Sequence, residues 1–222
     1  MEYATGQQLY DVTIPASESP ISVSELKLFA KISGTSEDAL LQQIINGVTL
    51  EAERYTKLDF VSRTYKTFRD SFGDYAESPA YVCNPPMRYR YSSNNAPIVL
   101  RRSPLQSVSL IQYYSGGVLT TLNVADYMIV RKPAFSFVVP VGDALWPTPD
   151  DRMQAVQITF VSGFGAAAAV PADIKNALLA HATSVYQNRG DCNSGGSSCA
   201  CEFAPAVSLA VYNQRRIVDF VL

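Results

Sequence analysis

Residues 35–60 read TSEDALLQQIINGVTLEAERYTKLDF, and this stretch decides how the rest of the chain is organised. Leu41, Ile44, Ile45, Val48, Ala52 and Tyr55 recur at three- and four-residue steps. At about 100° per residue they form a stripe roughly 100° wide, which predicts an amphipathic helix packed on one side. Thr35 is the expected N-cap, with Glu37 and Asp38 placed to favour the positive end of the helix dipole. Gln42, Gln43, Asn46, Glu53, Arg54 and Lys57 make the wet side, Glu53 and Lys57 being spaced for an i,i+4 pair. Leu50 sits in the middle of that wet side. It is either an ordinary exposed leucine or a residue that another subunit covers.

Upstream, Ser22-x-x-Glu25 fits a capping box opening a helix over residues 23–32, with Leu26, Phe29, Ala30 and Ile32 on its apolar side and Ser33-Gly34 as its stop. The connection to the long helix is short, so residues 21–60 are expected to form a helical hairpin. Residues 1–20 have no sustained period and read as an N-terminal arm with a short strand at residues 10–14.

Downstream the period changes. SRTYKTFRDSF, from Ser62, alternates as a strand, and residues 71–95 form a long insertion rich in Tyr, Pro, Ser and Asn. The segments SVSLIQYY, VLTTLNV, YMIVR, FSFVV and AVQITFVSGF read as short strands separated by turns, with Gly116-Gly117 marking a hairpin. Residues 61–170 are therefore expected to carry an antiparallel sheet. Pro171 opens another helix, PADIKNALLAHATSVYQNRG, with Ile174, Ala177, Leu178, His181 and Val185 on one face and Gly190 as a stop. A last helix falls within residues 205–222 and ends in the apolar IVDFVL. The fold class is α+β: three to four bundled helices with an inserted antiparallel β region.

Composition narrows the function. The 222 residues are 47% hydrophobic and 17% charged, with net charge −2, so no basic footprint for nucleic acid stands out. No apolar run approaches the ~20 residues of a membrane span, and the first residues lack a secretory signal, which implies synthesis for the cytoplasm. The four cysteines, Cys83, Cys192, Cys199 and Cys201, lack the paired spacing of a zinc site, and the lone His181 reads as a hydrogen-bonded core residue. Arg88-Tyr89-Arg90-Tyr91 interleaves cations with aromatics, and with Arg101-Arg102 it leaves open a nucleic-acid-binding module. Gly163-Phe-Gly165 lacks the third glycine of a dinucleotide fingerprint, and Asp150-Asp151 reads as a local turn. No catalytic, metal or cofactor constellation is found, so an enzyme is not expected.

The order of four segments resembles the head–tail connector, or adaptor, family of phages and gene transfer agents. They are PISVSELKLFAKI with SEDALLQQIINGVTLEAERYTKLDF, the hairpin QSVSLIQYYSGGVLTTLNVADYMI, the strand AVQITFVSGFG, and VPADIKNALLAHATSVYQNRG. The C-terminal LAVYNQRRIVDFVL departs from the Leu-Leu…Pro-Tyr-Arg ending common in relatives. The resemblance implies a virion neck protein that forms a homo-oligomeric ring, typically twelvefold, beneath the portal. DNA would pass through the channel unrecognised, and the β-rich part would face a tail-side stopper or terminator. A stopper or tail-completion protein is the neighbouring alternative. On this reading Arg215, Arg216, Ile217 and Phe220 contact the portal, because an apolar chain end adjoins cations. Leu50 and Arg54 contribute to the subunit seam. Removal of residues 214–222 is expected to abolish portal docking and spare the fold.

Overall fold

The computed structural model describes residues 10–72, 95–132, 134–189 and 204–217. They fall into two compact units, one built from residues 10–15 and 62–163, the other from 16–61 and 164–217. Strands collect in the first and helices in the second, so the fold is mixed, with four helices and antiparallel sheets among the described residues.

In the helical unit, α1 spans Val23–Ala30, α2 Asp38–Thr56, α3 Ala172–Gln187 and α4 Ala206–Arg215. The central pair is α2 and α3: each touches the other and both remaining helices. The capping box on α1 is present, the Ser22 hydroxyl accepting the Glu25 N–H while a Glu25 carboxylate oxygen accepts the Ser22 N–H at 2.6 Å. That contact, chiefly with the Ser22 backbone, holds the Glu25 carboxyl below its ordinary range. The helix stops earlier than the Ser33-Gly34 signal suggests, because Lys31 turns left-handed at φ 56°. Only Leu26 of α1 is buried, and Phe29, assigned to the apolar side, is half exposed.

The long helix departs from its sequence reading at both faces. Thr35 is not the cap; the helix begins at Asp38, and Glu37 holds the N-cap position without a side-chain capping bond. Glu37 directs its carboxylate instead to the Tyr186 hydroxyl and to Arg189, at 3.0 Å from the latter. Leu41, Ile45, Val48 and Ala52 are buried as the stripe requires, while Ile44 and Tyr55 are only partly covered. Glu53, placed on the wet side, is buried, and its carboxylate accepts the Phe60 N–H at 3.0 Å where the chain leaves the helix. On α3 the Pro171 ring precedes the first helical residue, and Val185 is exposed rather than packed.

In the strand unit, β1 is Tyr10–Ile14, β2 Arg63–Arg69, β3 Ile98–Leu100, β4 Leu105–Ser115, β5 Val118–Thr121, β6 Tyr127–Arg131, β7 Ser136–Pro140 and β8 Val156–Ser162. One sheet has the order β1-β2-β8-β4-β5, the other β3-β7-β6, and every pairing is antiparallel. Strict alternation on β8 buries Val156, Ile158 and Phe160, the period-2 pattern of a sheet with one face on the core. Those residues join Tyr10, Tyr65, Ile111 and, from the second sheet, Ile98, Leu100 and Val138 in one cluster. Trp146 closes an end of it, stacked on Phe72 at 5.1 Å and donating its indole N–H to the Ala96 carbonyl at 2.8 Å.

Candidate assembly surfaces

Two kinds of position can act on a partner here: apolar side chains left in solvent, and charged groups that the fold holds in place. In the helical unit the first kind includes Val185 and Val207 on α3 and α4, and four residues on the helical hairpin. Leu28 is 83% exposed, Phe29 49% and Leu50 46%, with Leu40 also outside. Arg54 is exposed one turn beyond Leu50. Both seam residues named from sequence thus lie on the outer face of α2.

The C-terminal residues are largely engaged within the unit. Arg215 ends α4 and points both Nε and a terminal nitrogen at one Asp173 carboxylate oxygen, each at 2.9 Å. Asp173 lies in the first turn of α3, where a carboxylate also suits the dipole. Arg216 covers the Tyr55 ring at 4.9 Å. Ile217 is buried, and its N–H donates to the Thr56 carbonyl at 2.9 Å. Phe220 lies outside the described residues, as do Arg88–Tyr91 and all four cysteines.

Beneath α4, His181 is buried and its Nδ1 lies 3.4 Å from the Tyr212 hydroxyl, with Nε2 4.0 Å from a Glu51 carboxylate oxygen. Burial, and secondarily the Glu51 charge, push the Tyr212 phenol far above its ordinary range. A neutral phenol and an imidazole locked between two helices tie α3 to α4. Ser208 adds to the tie, donating to the Ala177 carbonyl at 2.8 Å.

On the strand unit the β4–β5 hairpin is the organised projection. Ser115 pairs with Val118 across Gly116 and Gly117, both at positive φ, as a two-residue hairpin turn requires. Sequence reading missed what braces it. The Asp150 carboxylate accepts the Gly116 N–H at 2.8 Å and the Gly117 N–H at 2.7 Å, and the Asp150 N–H donates to the Tyr114 carbonyl at 2.9 Å. Arg152 then covers the Tyr114 ring at 3.9 Å. The only available signal was a carboxylate after prolines near a Gly-Gly turn, which does not name its partner.

A concavity of about 500 Å³ lies near the hairpin base, lined by Tyr113, Leu122, Asp126, Leu145, Trp146 and Pro147 among others. It offers one carboxylate and a phenol, which is not an acid–base or nucleophilic constellation. Arg102 lies over the Tyr65 ring at 4.9 Å, and the Arg101 N–H donates to the Tyr10 hydroxyl at 3.0 Å, so these two residues help roof the unit's own aromatics. Among the described residues no group of three His, Cys, Asp or Glu side chains could hold a metal ion, and no helix is long and apolar enough to cross a membrane.

No family model matches the sequence, and neither does any curated protein. Solved structures do match, over nearly the whole chain. A chain in "Neck of empty GTA particle computed with C6 symmetry" superposes with a TM-score of 0.67 at 20% identity, covering 95% of this chain and 96% of that one. This protein has the fold of a gene transfer agent neck component. A chain in "Virion of native gene transfer agent (GTA) particle" gives 0.66 at 19%, covering 94% and 95%. Another in "Neck of native GTA particle computed with C12 symmetry" gives 0.64 at 19%, covering 95% and 96%.

Proposed function

We propose that this protein is a structural subunit of a virion neck, a head-to-tail adaptor that forms a ring beneath the portal and continues the DNA channel toward the tail. The observation that carries the reading is the end-to-end likeness, 95% of one chain on 96% of the other, to a chain of a neck resolved with sixfold symmetry. A ring subunit needs two different surfaces that fit each other and repeat by rotation. It does not need a catalytic group, a cofactor or a grip on phosphate. Net charge −2 suits a wall past which DNA slides.

On this reading Leu50 and Arg54 belong to the subunit seam. The portal contact belongs to the chain end after α4, with Arg215, Arg216 and Phe220 beside it. Ile217, buried in its own unit, acts there by anchoring the segment. A deletion from residue 214 would cut into α4 and remove that anchor, so the informative truncation removes only residues 218–222. Electron microscopy of the protein alone and mixed with the portal of its particle is the test. Rings or portal-capping assemblies are expected, and the truncated chain should keep its melting temperature but leave the portal bare. A protein that stays monomeric and ignores the portal would refute the reading.

A further inference from the structure

Gly47 is the tenth residue of the 19-residue α2, in ordinary helical conformation rather than at positive φ. Glycine is the least favourable residue after proline in a helix interior. Close approach of another backbone is one physical reason for a helix to carry a glycine there. Yet a Cβ built at Gly47 meets no atom within 4 Å among the described residues. Nothing inside the described chain asks for it.

The residues around it form a line. Leu40, Gln43, Gly47, Leu50 and Arg54 follow one another at steps of three, four, three and four, and Leu40, Leu50 and Arg54 are exposed. That is the spacing of a seam against another helix, on the side of α2 away from its buried stripe. At its middle the missing side chain leaves a notch bordered by Gln43, Leu50 and Glu51. The Glu51 side chain is 55% exposed.

The same unit carries a matching projection. Leu28 and Phe29 are adjacent, both exposed, and followed by exposed Lys31. Apolar bulk beside a cation complements an open notch with a leucine on one side and an acid on the other.

We propose that Leu28 and Phe29 of one copy seat over Gly47 of the next, against Leu50, with Lys31 toward Glu51. This contact rests on the ring reading and says how neighbouring copies meet. It joins two different patches of one chain, so it is head-to-tail and closes by rotation.

The test uses the full-length protein. Gly47→Leu replaces a poor helix residue by a good one in open space, so the variant should melt at a higher temperature than wild type. It fills the notch, so self-assembly read by mass photometry should weaken by at least about tenfold, the loss expected at an interface centre. Stability and assembly moving in opposite directions is a result that a purely structural role for Gly47 would not produce. The double variant Leu28→Glu/Phe29→Glu should also fail to assemble. Each variant keeps the half that the other lacks, so an equimolar mixture should stop at dimers. Rings formed by Gly47→Leu with undiminished affinity, or a mixture that stays monomeric, would overturn the contact and leave the ring reading standing. Wild type that never assembles, with or without portal, would overturn the ring reading itself.

Discussion

Removing the Asp150 carboxylate should loosen the β4–β5 hairpin by about 1–2 kcal/mol without unfolding the strand unit. Two backbone donors, Gly116 N–H at 2.8 Å and Gly117 N–H at 2.7 Å, bond one carboxylate. Hydrogen bonds to a charged group contribute about 1.5–3 kcal/mol each in general. Both donors sit on exposed glycines, so water replaces the lost acceptor and the desolvation penalty does not arise. The bond from the Asp150 N–H to Tyr114 and the Arg152–Tyr114 contact survive the change. The combined loss in Asp150→Ala is therefore set at the low end of a single such bond, about 1–2 kcal/mol. At 1.4 kcal/mol per factor of ten, the Gly116 and Gly117 amides should exchange with solvent about five- to thirtyfold faster. Amides of β8 should keep their wild-type rates. Asp150→Asn retains one good acceptor and should fall between the two. Unchanged exchange at both glycines would refute the claim that Asp150 braces the turn, and so would an Asn variant indistinguishable from wild type.

Two further predictions concern the helical unit. The Tyr186 hydroxyl, helped by Arg189, holds the Glu37 carboxyl below its ordinary range, and the same bond pushes the Tyr186 phenol up. A depressed carboxyl stabilises above its unfolded pKa and loses that as pH falls through the folded one. A raised phenol stabilises below its unfolded pKa and loses that as pH rises through the folded one. Glu37→Gln should thus lower the melting temperature most near neutrality, the gap to wild type closing as pH falls through the depressed folded pKa of the carboxyl; a gap constant with pH would count against the pairing. Ile217→Ala should destabilise the unit by about 2 kcal/mol, the low end for a buried aliphatic truncation because the residue lies near the chain end, as read by urea denaturation. A variant as stable as wild type would show that Ile217 is not an anchor.

Elements were legible in the sequence where the signal is local. The stripe on α2, the capping box of Ser22 and Glu25 and the Gly116-Gly117 turn each depend on residues within a few positions of one another. The capping box and the turn stand where expected, as does the β1 strand at Tyr10–Ile14, and four of the six stripe residues, Leu41, Ile45, Val48 and Ala52, are buried. The polar ties were not legible because their partners are remote. Asp150 reaches back 33 and 34 residues to its glycines, and Tyr186 reaches 149 residues to Glu37. No period or spacing encodes such a pairing. Only the folded backbone brings the groups together.

Glu53 and Leu50 show the same limit with opposite signs. A helical wheel sorts residues by what each prefers, so the carboxylate went to water and the leucine became the odd one out. Burial of Glu53 follows from a need the wheel does not contain: the Phe60 N–H, leaving the helix end, lacks a helical acceptor and takes the carboxylate at 3.0 Å. Within the described chain that need has an owner. Leu50, exposed beside a mid-helix glycine with open space above it, has none there. Taken singly, an exposed leucine is ordinary surface and a helix glycine is a small loss of stability. Placed three residues apart on one face, at the spacing of a helix seam, they are the two positions on which the proposed contact between copies rests.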